Sequence, residues 1–130
     1  MVWVQLITAL ALLQYFLFGM LVGKARGQYG VKAPTMTGHE VFERYNRVHV
    51  NTLETLVIFV PALWLAASFF RPQWVAAIGA VYLIGRVIYL RAYVSNPSTR
   101  SLGYALSALP VAVLIIMALF GICRVLLFAS

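Results

Sequence analysis

Charged and amide side chains recur at helical spacing in the segment Glu40–Glu54. Arg47, Asn51 and Glu54 stand four and three residues apart, so at about 100° per residue they stay on one side of a helix. Arginine binds carboxylates, glutamate binds an ammonium group and asparagine binds amides, so the series suits a small, peptide-like anion that carries an amine. His49 lies off this axis, and we interpret it as an interfacial hydrogen-bonding residue of the binding region rather than a catalytic base.

A second series of polar and aromatic residues has the same periodicity further along the chain. Its members are Tyr82, Arg86, Tyr89 and Tyr93. Tyrosines near a membrane surface form interfacial belts, which accounts for Tyr93 but not for an arginine in line with three tyrosines. Arg100 opens the last apolar segment, although helix N-termini disfavour cations. We therefore predict that the second series and Arg100 face the same ligand as the first series.

The composition excludes most soluble enzyme classes. Of the 130 residues, 63% are hydrophobic and 10% are charged, and the mean hydropathy is +0.92, which leaves too little polar surface for a soluble domain. The net charge is +7, but the basic residues interrupt apolar runs rather than coat a hydrophilic face, which argues against nucleic-acid binding. Aspartate is absent and the one cysteine, Cys123, lies in an apolar run, so we expect no metal site and predict a buried thiol.

Four apolar segments are long enough to cross a membrane as helices. Their predicted bounds are about 2–23, 41–70, 73–94 and 98–126, and at ~1.5 Å per residue each matches a ~30 Å hydrocarbon layer. A signal peptide is the alternative for the first segment, but there the basic residues follow the apolar run instead of preceding it. Residues 24–40 are predicted to form a polar loop. Short connections make neighbouring helices antiparallel, so we predict one domain, residues 1–130: an all-α membrane protein built as an antiparallel four-transmembrane-helix bundle.

Positive charge is distributed unevenly between the two ends of this bundle. Only Arg71 and Arg124 fall at one end, whereas seven basic residues fall at the other. The seven are Lys24, Arg26, Lys32, Arg44, Arg47, Arg91 and Arg100. By the positive-inside rule, the first long loop and the binding region are cytoplasmic, and both termini are periplasmic or lumenal.

The stretch GHEVFERYNRVHVNTLE, from Gly38 to Glu54, resembles the signature of the MAPEG superfamily, the membrane-associated proteins in eicosanoid and glutathione metabolism. The resemblance covers most of the chain, because the four spans, the basic first loop, the second polar series and Arg100 follow in the expected order. It implies a homotrimer of four-helix subunits. Each trimer binds glutathione, as co-substrate, between neighbouring subunits near the cytoplasmic face.

The resemblance also assigns roles to individual residues. The candidate glutathione-binding residues are Arg26, Arg47, His49, Asn51, Glu54, Arg86, Tyr89 and Tyr93. Arg100 matches the arginine that the family places beside the glutathione sulfur, and Tyr93 is the second candidate catalytic residue. Arg86 matches a family arginine, and its part, ligand contact or helix packing, stays open. Arg26 is expected in the first loop, and the resemblance has it join the first series, together with Tyr89 and Tyr93, from either side of the subunit interface.

Several positions depart from the family pattern. Tyr45 and Asn46 follow the triplet FER where a valine and an aromatic residue are usual, Thr52 replaces a cysteine, and Gly27 stands where some members have a second loop arginine. Thr55 replaces a tyrosine that contacts the ligand in leukotriene synthesis. The arginine, asparagine and glutamate of the first series are intact. We therefore expect a general detoxifying glutathione transferase or peroxidase, which acts on a lipophilic second substrate from the membrane lipid, rather than leukotriene or prostaglandin synthesis.

Two other classes of protein compete with this interpretation. Small four-helix multidrug exporters have about this length, but they place their key glutamate in the first span, which here contains none. A non-catalytic relative that binds lipid or partner proteins on the same fold stays open. The presence of Arg100 favours the enzyme.

Overall fold

Four long helices account for most of the chain in the computed structural model, which describes residues 1–128. Helix α1 comprises Val2–Gln28, α2 Glu40–Ala67, α3 Pro72–Ser95 and α4 Ser101–Phe128, with a 3-10 turn, Pro97–Thr99, before α4. Each helix is long and apolar enough to cross a membrane, and residues 1–128 contain no strand. Short connections after α2 and α3 reverse the chain, so the helices form an antiparallel bundle. The predicted all-α membrane fold is confirmed.

Large apolar side chains cover the outside of the bundle. Leu13, Phe16, Val57 and Ile116 are all more than half exposed, a surface that hydrocarbon solvates and water does not. Cys123 also lies on this outer surface, so the prediction of a buried thiol is wrong. An α-helix at the edge of a bundle buries only one side, and on α4 that side holds the smaller residues at positions 118 and 121 rather than 123.

Helix α1 extends beyond the predicted first span. It ends at Gln28, so the prediction that residues 24–28 belong to a loop is wrong, and Arg26 lies in the last helical turn. Ala25 is buried against Val31 and Phe42, and this apolar contact holds the end of α1 against the start of α2. Burial of one side of the turn outweighs the polar composition of its other side.

The remaining helix ends follow local hydrogen bonds rather than hydropathy. The His39 Nδ1 accepts a bond from the Val41 N–H at 3.1 Å and caps α2. Helix α2 ends at Ala67 rather than residue 70, and residues 68 and 69 form a turn in which the Phe69 N–H bonds the Ala66 carbonyl three residues back. The Asn96 Oδ1 caps the 3-10 turn by accepting from the Ser98 N–H at 3.2 Å, so α4 begins at residue 101 rather than 98.

Two glycines bring α3 and α4 into direct backbone contact. A Cβ atom at Gly103 would lie 2.4 Å from the Tyr89 nitrogen, and one at Gly85 would lie 2.6 Å from the Leu106 carbonyl carbon. Small residues at such positions are typical of helix interfaces in membranes, since they let backbones approach closely. This contact fixes the start of α4 against α3.

We expect Gly103→Ala to lower the free energy of unfolding by about 1–3 kcal/mol, because the added methyl group forces two backbones apart. The measurement is thermal unfolding of the detergent-purified protein, followed by circular dichroism. The matched control is Gly23→Ala, where an added Cβ meets nothing within 4 Å. Alanine favours a helix over glycine by up to ~1 kcal/mol, so the control keeps or raises the melting temperature. Equal shifts in both variants would contradict the close α3–α4 contact.

Candidate functional site

Arg86 occupies the centre of a polar cluster inside the bundle. Its side chain is 0% exposed. The Nε atom donates to the Ser107 Oγ on α4 at 2.9 Å, and Nη1 donates to the Asn51 Oδ1 at 2.8 Å and the Thr52 Oγ1 at 3.2 Å on α2. These four residues, the Arg86 cluster, therefore connect three helices. They also bring together the two polar series predicted from the sequence.

Tyrosine rings flank Arg86 along α3. The guanidinium carbon lies 4.5 Å from the centroid of the Tyr89 ring, a distance at which the cation is attracted to the ring face. Towards the core, Tyr82 stacks on Phe59 at 3.9 Å, and its hydroxyl lies 2.9 Å from the Thr55 hydroxyl. Tyr82 is fully buried among these residues, so the inner end of the second series belongs to the core.

The outer end of the second series approaches the start of α4. The centroids of the Tyr89 and Tyr93 rings lie 5.5 Å apart, and the Tyr104 ring lies 6.2 Å from Tyr89. Arg100 precedes Tyr104 by one turn. Its side chain is exposed, and its Nη1 donates to the Pro97 carbonyl oxygen at 2.8 Å. A guanidinium has five N–H donors, so this bond leaves Arg100 able to bind an anion.

The first series presents two opposite charges on the outer side of α2. Arg47 and Glu54 are both exposed and stand nearly two full turns apart on the same side. Neither Arg47 nor Asn51 bonds Glu54. Within residues 1–128 neither Arg47 nor Glu54 makes a side-chain hydrogen bond or an ion pair, and the one ion pair joins Arg44 to Glu40. Both charges are thus available to a ligand.

His49 lies on the opposite side of α2, against α1, and Arg26 at the end of α1 contacts that same side of α2. His49 is two residues, or about 200°, from Asn51, and its ring stacks on Tyr15 with centroids 4.5 Å apart. The guanidinium of Arg26 covers the Phe42 ring at 4.7 Å and donates to the Thr35 carbonyl at 2.7 Å. The structure therefore brings Asn51, Arg86 and Tyr89 together within one chain, but it separates Arg26 and His49 from them.

Three residues at this site were not among the site residues predicted from the sequence. Ser107 and Thr52 complete the Arg86 cluster, and Tyr104 extends the aromatic series. Tyr104 follows Arg100 by four residues, a helical spacing that was open to inspection. Ser107 and Thr52 gave a weaker signal, because a hydroxyl in a helix usually bonds its own backbone, as Ser107 also does to the Gly103 carbonyl at 2.7 Å.

The model of the MAPEG family matches residues 4–120 of this chain. The chain belongs to the MAPEG family. That assignment agrees with the four membrane-length helices, since MAPEG proteins are four-helix membrane bundles.

Individual MAPEG relatives align along nearly the whole chain. The uncharacterized protein sll1147 of Synechocystis is 44% identical over 94% of this chain and 89% of its own length. Microsomal glutathione S-transferase 2 of Homo sapiens is 34% identical over 91% of this chain and 80% of its own length. Leukotriene C4 synthase of Bos taurus is 33% identical over 89% of this chain and 77% of its own length.

Proposed function

We propose that this MAPEG protein is a membrane glutathione transferase that holds the glutathione thiolate for attack on a lipophilic electrophile or a hydroperoxide. The observation that carries the proposal is the hydrogen bond between Asn51 and Arg86, because it joins the polar series of α2 to that of α3. The relatives at 33–34% identity, named microsomal glutathione S-transferase 2 and leukotriene C4 synthase, support glutathione as the ligand.

The charged groups on α2 match the charged groups of glutathione. Arg47 is exposed and binds a glutathione carboxylate, whereas Glu54 binds the ammonium group. Asn51 lies between them and bonds the peptide backbone. Tyr93 on α3, partly exposed next to the buried Tyr89, closes the other side of the ligand and places its sulfur towards Arg100.

Arg100 supplies the catalytic interaction in this proposal. A free thiol has a pKa near ~8.5, so only a few per cent of glutathione is thiolate at neutral pH. Lowering that pKa by about two units takes roughly 2.7 kcal/mol of preferential interaction with the anion, which one close guanidinium in a partly dry site provides. The thiolate then attacks the electrophile, a sulfur–carbon bond forms, and the leaving group departs with its electron pair. Tyr93 donates a hydrogen bond to the sulfur or the leaving group.

We propose that each glutathione site lies between two copies of the chain, in a homotrimer. Arg26 and His49 occupy the α1 side of α2, whereas Arg47, Asn51 and Glu54 occupy the other side. A molecule as small as glutathione contacts both sets only if one set comes from a neighbouring copy. The number of subunits, three, rests on the resemblance to the family.

Mixing two variants with weakened glutathione binding tests this arrangement. Arg26→Ala removes one side of the site and Arg47→Ala removes the other, so each variant alone is expected to bind glutathione weakly. Co-expressed copies that mix at random form about a quarter of their interfaces from two intact sides, because each interface uses one side of each neighbour. We expect about that fraction of wild-type activity at low glutathione concentration. Activity no higher than that of the separate variants would place the site within one copy.

The second substrate reaches the site from the bilayer in this proposal. An apolar groove of about 260 Å³ lies between α2 and α4, and its first α2 residue, Val57, is three positions past Glu54. This groove suits the apolar tail of an extended second substrate, because Ile115, its first α4 residue, lies about 22 Å along the helix from Arg100. The basic residues are concentrated at the end of the bundle that carries the loop between α1 and α2. By the positive-inside rule, this supports a cytoplasmic location for that end and for the site. Both termini are then periplasmic or lumenal. Detoxification is the matching physiological role.

The direct test of the proposed function is conjugation of glutathione to a chromogenic aryl halide by the detergent-purified protein, beside an equilibrium binding titration with glutathione. We expect both binding and saturable conjugation. Binding without conjugation of aryl halides or lipid hydroperoxides would favour a non-catalytic MAPEG relative that binds lipid or a partner. Absence of binding would overturn glutathione as the ligand.

A further inference from the structure

We infer that Arg86 is a positioning residue: it fixes the Asn51 side chain so that Asn51 offers only hydrogen-bond donors to the ligand. The inference deepens the proposed function and rests on it for the identity of the ligand. Asn51 then binds an oxygen acceptor of the ligand, either a peptide carbonyl or a carboxylate. A peptide N–H of the ligand cannot bond Asn51 in this orientation.

The arginine side chain limits which atom of Asn51 can face it. A guanidinium has donors and no acceptor, so only the oxygen of an asparagine amide can face it. The Arg86 Nη1 lies 2.8 Å from the Asn51 Oδ1. The planar amide then directs its Nδ2 away from Arg86, and within residues 1–128 that nitrogen donates to nothing. Asn51 is half-buried beside the exposed Arg47 and Glu54, so these free donors face the proposed ligand.

Arg86 is itself held too firmly to follow a flip of Asn51. Ser107 bonds its Nε atom from α4, Thr52 shares its Nη1, and Tyr89 covers its face at 4.5 Å. Its Nη2 is buried without a hydrogen-bond partner in the described chain, so the cluster already has more donors than acceptors. A flipped Asn51 adds two further donors to that excess and loses an acceptor, which the cluster strongly disfavours.

Burial excludes a direct contact between Arg86 and the ligand. The side chain is 0% exposed, and no carboxylate bonds it, because the chain's three acidic residues lie elsewhere. Arg86 therefore acts on the ligand through Asn51. This answers the question of ligand contact or packing that the sequence left open.

The variant Asn51→Asp tests the orientation by keeping the shape and replacing the free donors with a second oxygen. An aspartate there gives the buried guanidinium a counter-ion, so we expect the melting temperature at pH 8 to rise by a few °C above wild type. The gain shrinks as the pH falls and the carboxylate becomes protonated. In an Arg86→Met background the same substitution is expected to lower the melting temperature, since the charge then has no partner.

Glutathione binding by isothermal titration calorimetry supplies the second readout. We expect Asn51→Asp to weaken binding at least tenfold, although its fold is more stable. Thr8→Ala is the control: it removes the hydrogen bond that Trp64 of α2 donates to α1, outside the Arg86 cluster, and lowers the melting temperature, so its dissociation constant stays within about threefold of wild type.

The outcomes separate this inference from the proposed function. A melting temperature of Asn51→Asp that does not depend on Arg86 would overturn the inference whether or not glutathione binds. Tight binding by Asn51→Asp, or equal loss in Thr8→Ala, would also overturn it. If the wild type fails to bind glutathione, the proposed function fails, while an Arg86-dependent rise in melting temperature still confirms that the side chain at position 51 bonds Arg86, the contact from which the orientation of Asn51 follows.

Discussion

Replacing Arg100 by alanine is expected to lower the turnover number at pH 7 about 25-fold, while the dissociation constant for glutathione changes by less than about fivefold. The reason is that Arg100 interacts with the sulfur, and this interaction strengthens as the thiol becomes an anion. Lowering the thiol pKa by two units corresponds to about 2.7 kcal/mol, and at pH 7 it raises the thiolate fraction from about 3% to about 75%. Steady-state kinetics with an aryl halide and a binding titration together measure the two quantities.

The pH dependence gives the same prediction a second readout. For the wild type, kcat is expected to rise with a midpoint near pH ~6.5, because the bound thiol titrates about two units below ~8.5. In Arg100→Ala the midpoint returns towards ~8.5. Arg91→Ala is the matched control, since Arg91 is also an exposed arginine near the end of α3 but lies outside the proposed site. A loss of affinity that equals the loss of turnover would mean that Arg100 binds glutathione without activating it.

The second large effect is expected from Glu54→Gln and Arg47→Ala, which remove the partners of the glutathione ammonium and carboxylate. Each is expected to weaken glutathione binding by about 10- to 100-fold, because a hydrogen bond to a charged group contributes about 1.5–3 kcal/mol. The turnover number at saturating glutathione stays within about threefold of wild type, since neither residue interacts with the sulfur.

Glu40→Gln is the matched control for Glu54→Gln. It makes the same charge change on the same helix, but Glu40 bonds Arg44 and lies outside the proposed site. An exposed ion pair of this kind contributes little to stability or binding. Loss of turnover with unchanged affinity in Glu54→Gln or Arg47→Ala would reverse the roles that we assign to these two residues and Arg100.

Hydropathy was sufficient to predict the four helices. A bilayer requires long apolar segments, and its hydrocarbon offers no hydrogen-bond partner to the protein backbone, so each spanning segment forms a helix. It could not predict where each helix ends. The last turn of α1 depends on Ala25 packing against Phe42, a contact with the next helix, and the end of α2 depends on the turn at Ser68. Cys123 shows the same limit, since an apolar run does not disclose which of its residues face lipid.

Helical periodicity identified both polar series but not the way they meet. Asn51 and Arg86 are 35 residues apart, and only the packing of α2 on α3 makes them partners. The sequence was sufficient to separate His49 from Asn51, because residues two positions apart on a helix point about 200° apart. A sequence motif alone, however, shows the two residues close together. A single chain also leaves Arg47 and Glu54 without bonds, so no reading of one copy discloses what they hold.

Direct observation of the glutathione thiolate tests the central claim best. The measurement is the ultraviolet absorbance of the thiolate as glutathione is titrated into the purified protein at neutral pH, with S-methylglutathione as the blank and Arg100→Ala beside the wild type. In the wild type we expect the thiolate absorbance to rise with added glutathione and to saturate at one thiolate per site. In Arg100→Ala we expect the signal to disappear, although that variant still binds glutathione. Bound glutathione without a thiolate signal in the wild type, or an equal signal in both proteins, would contradict it.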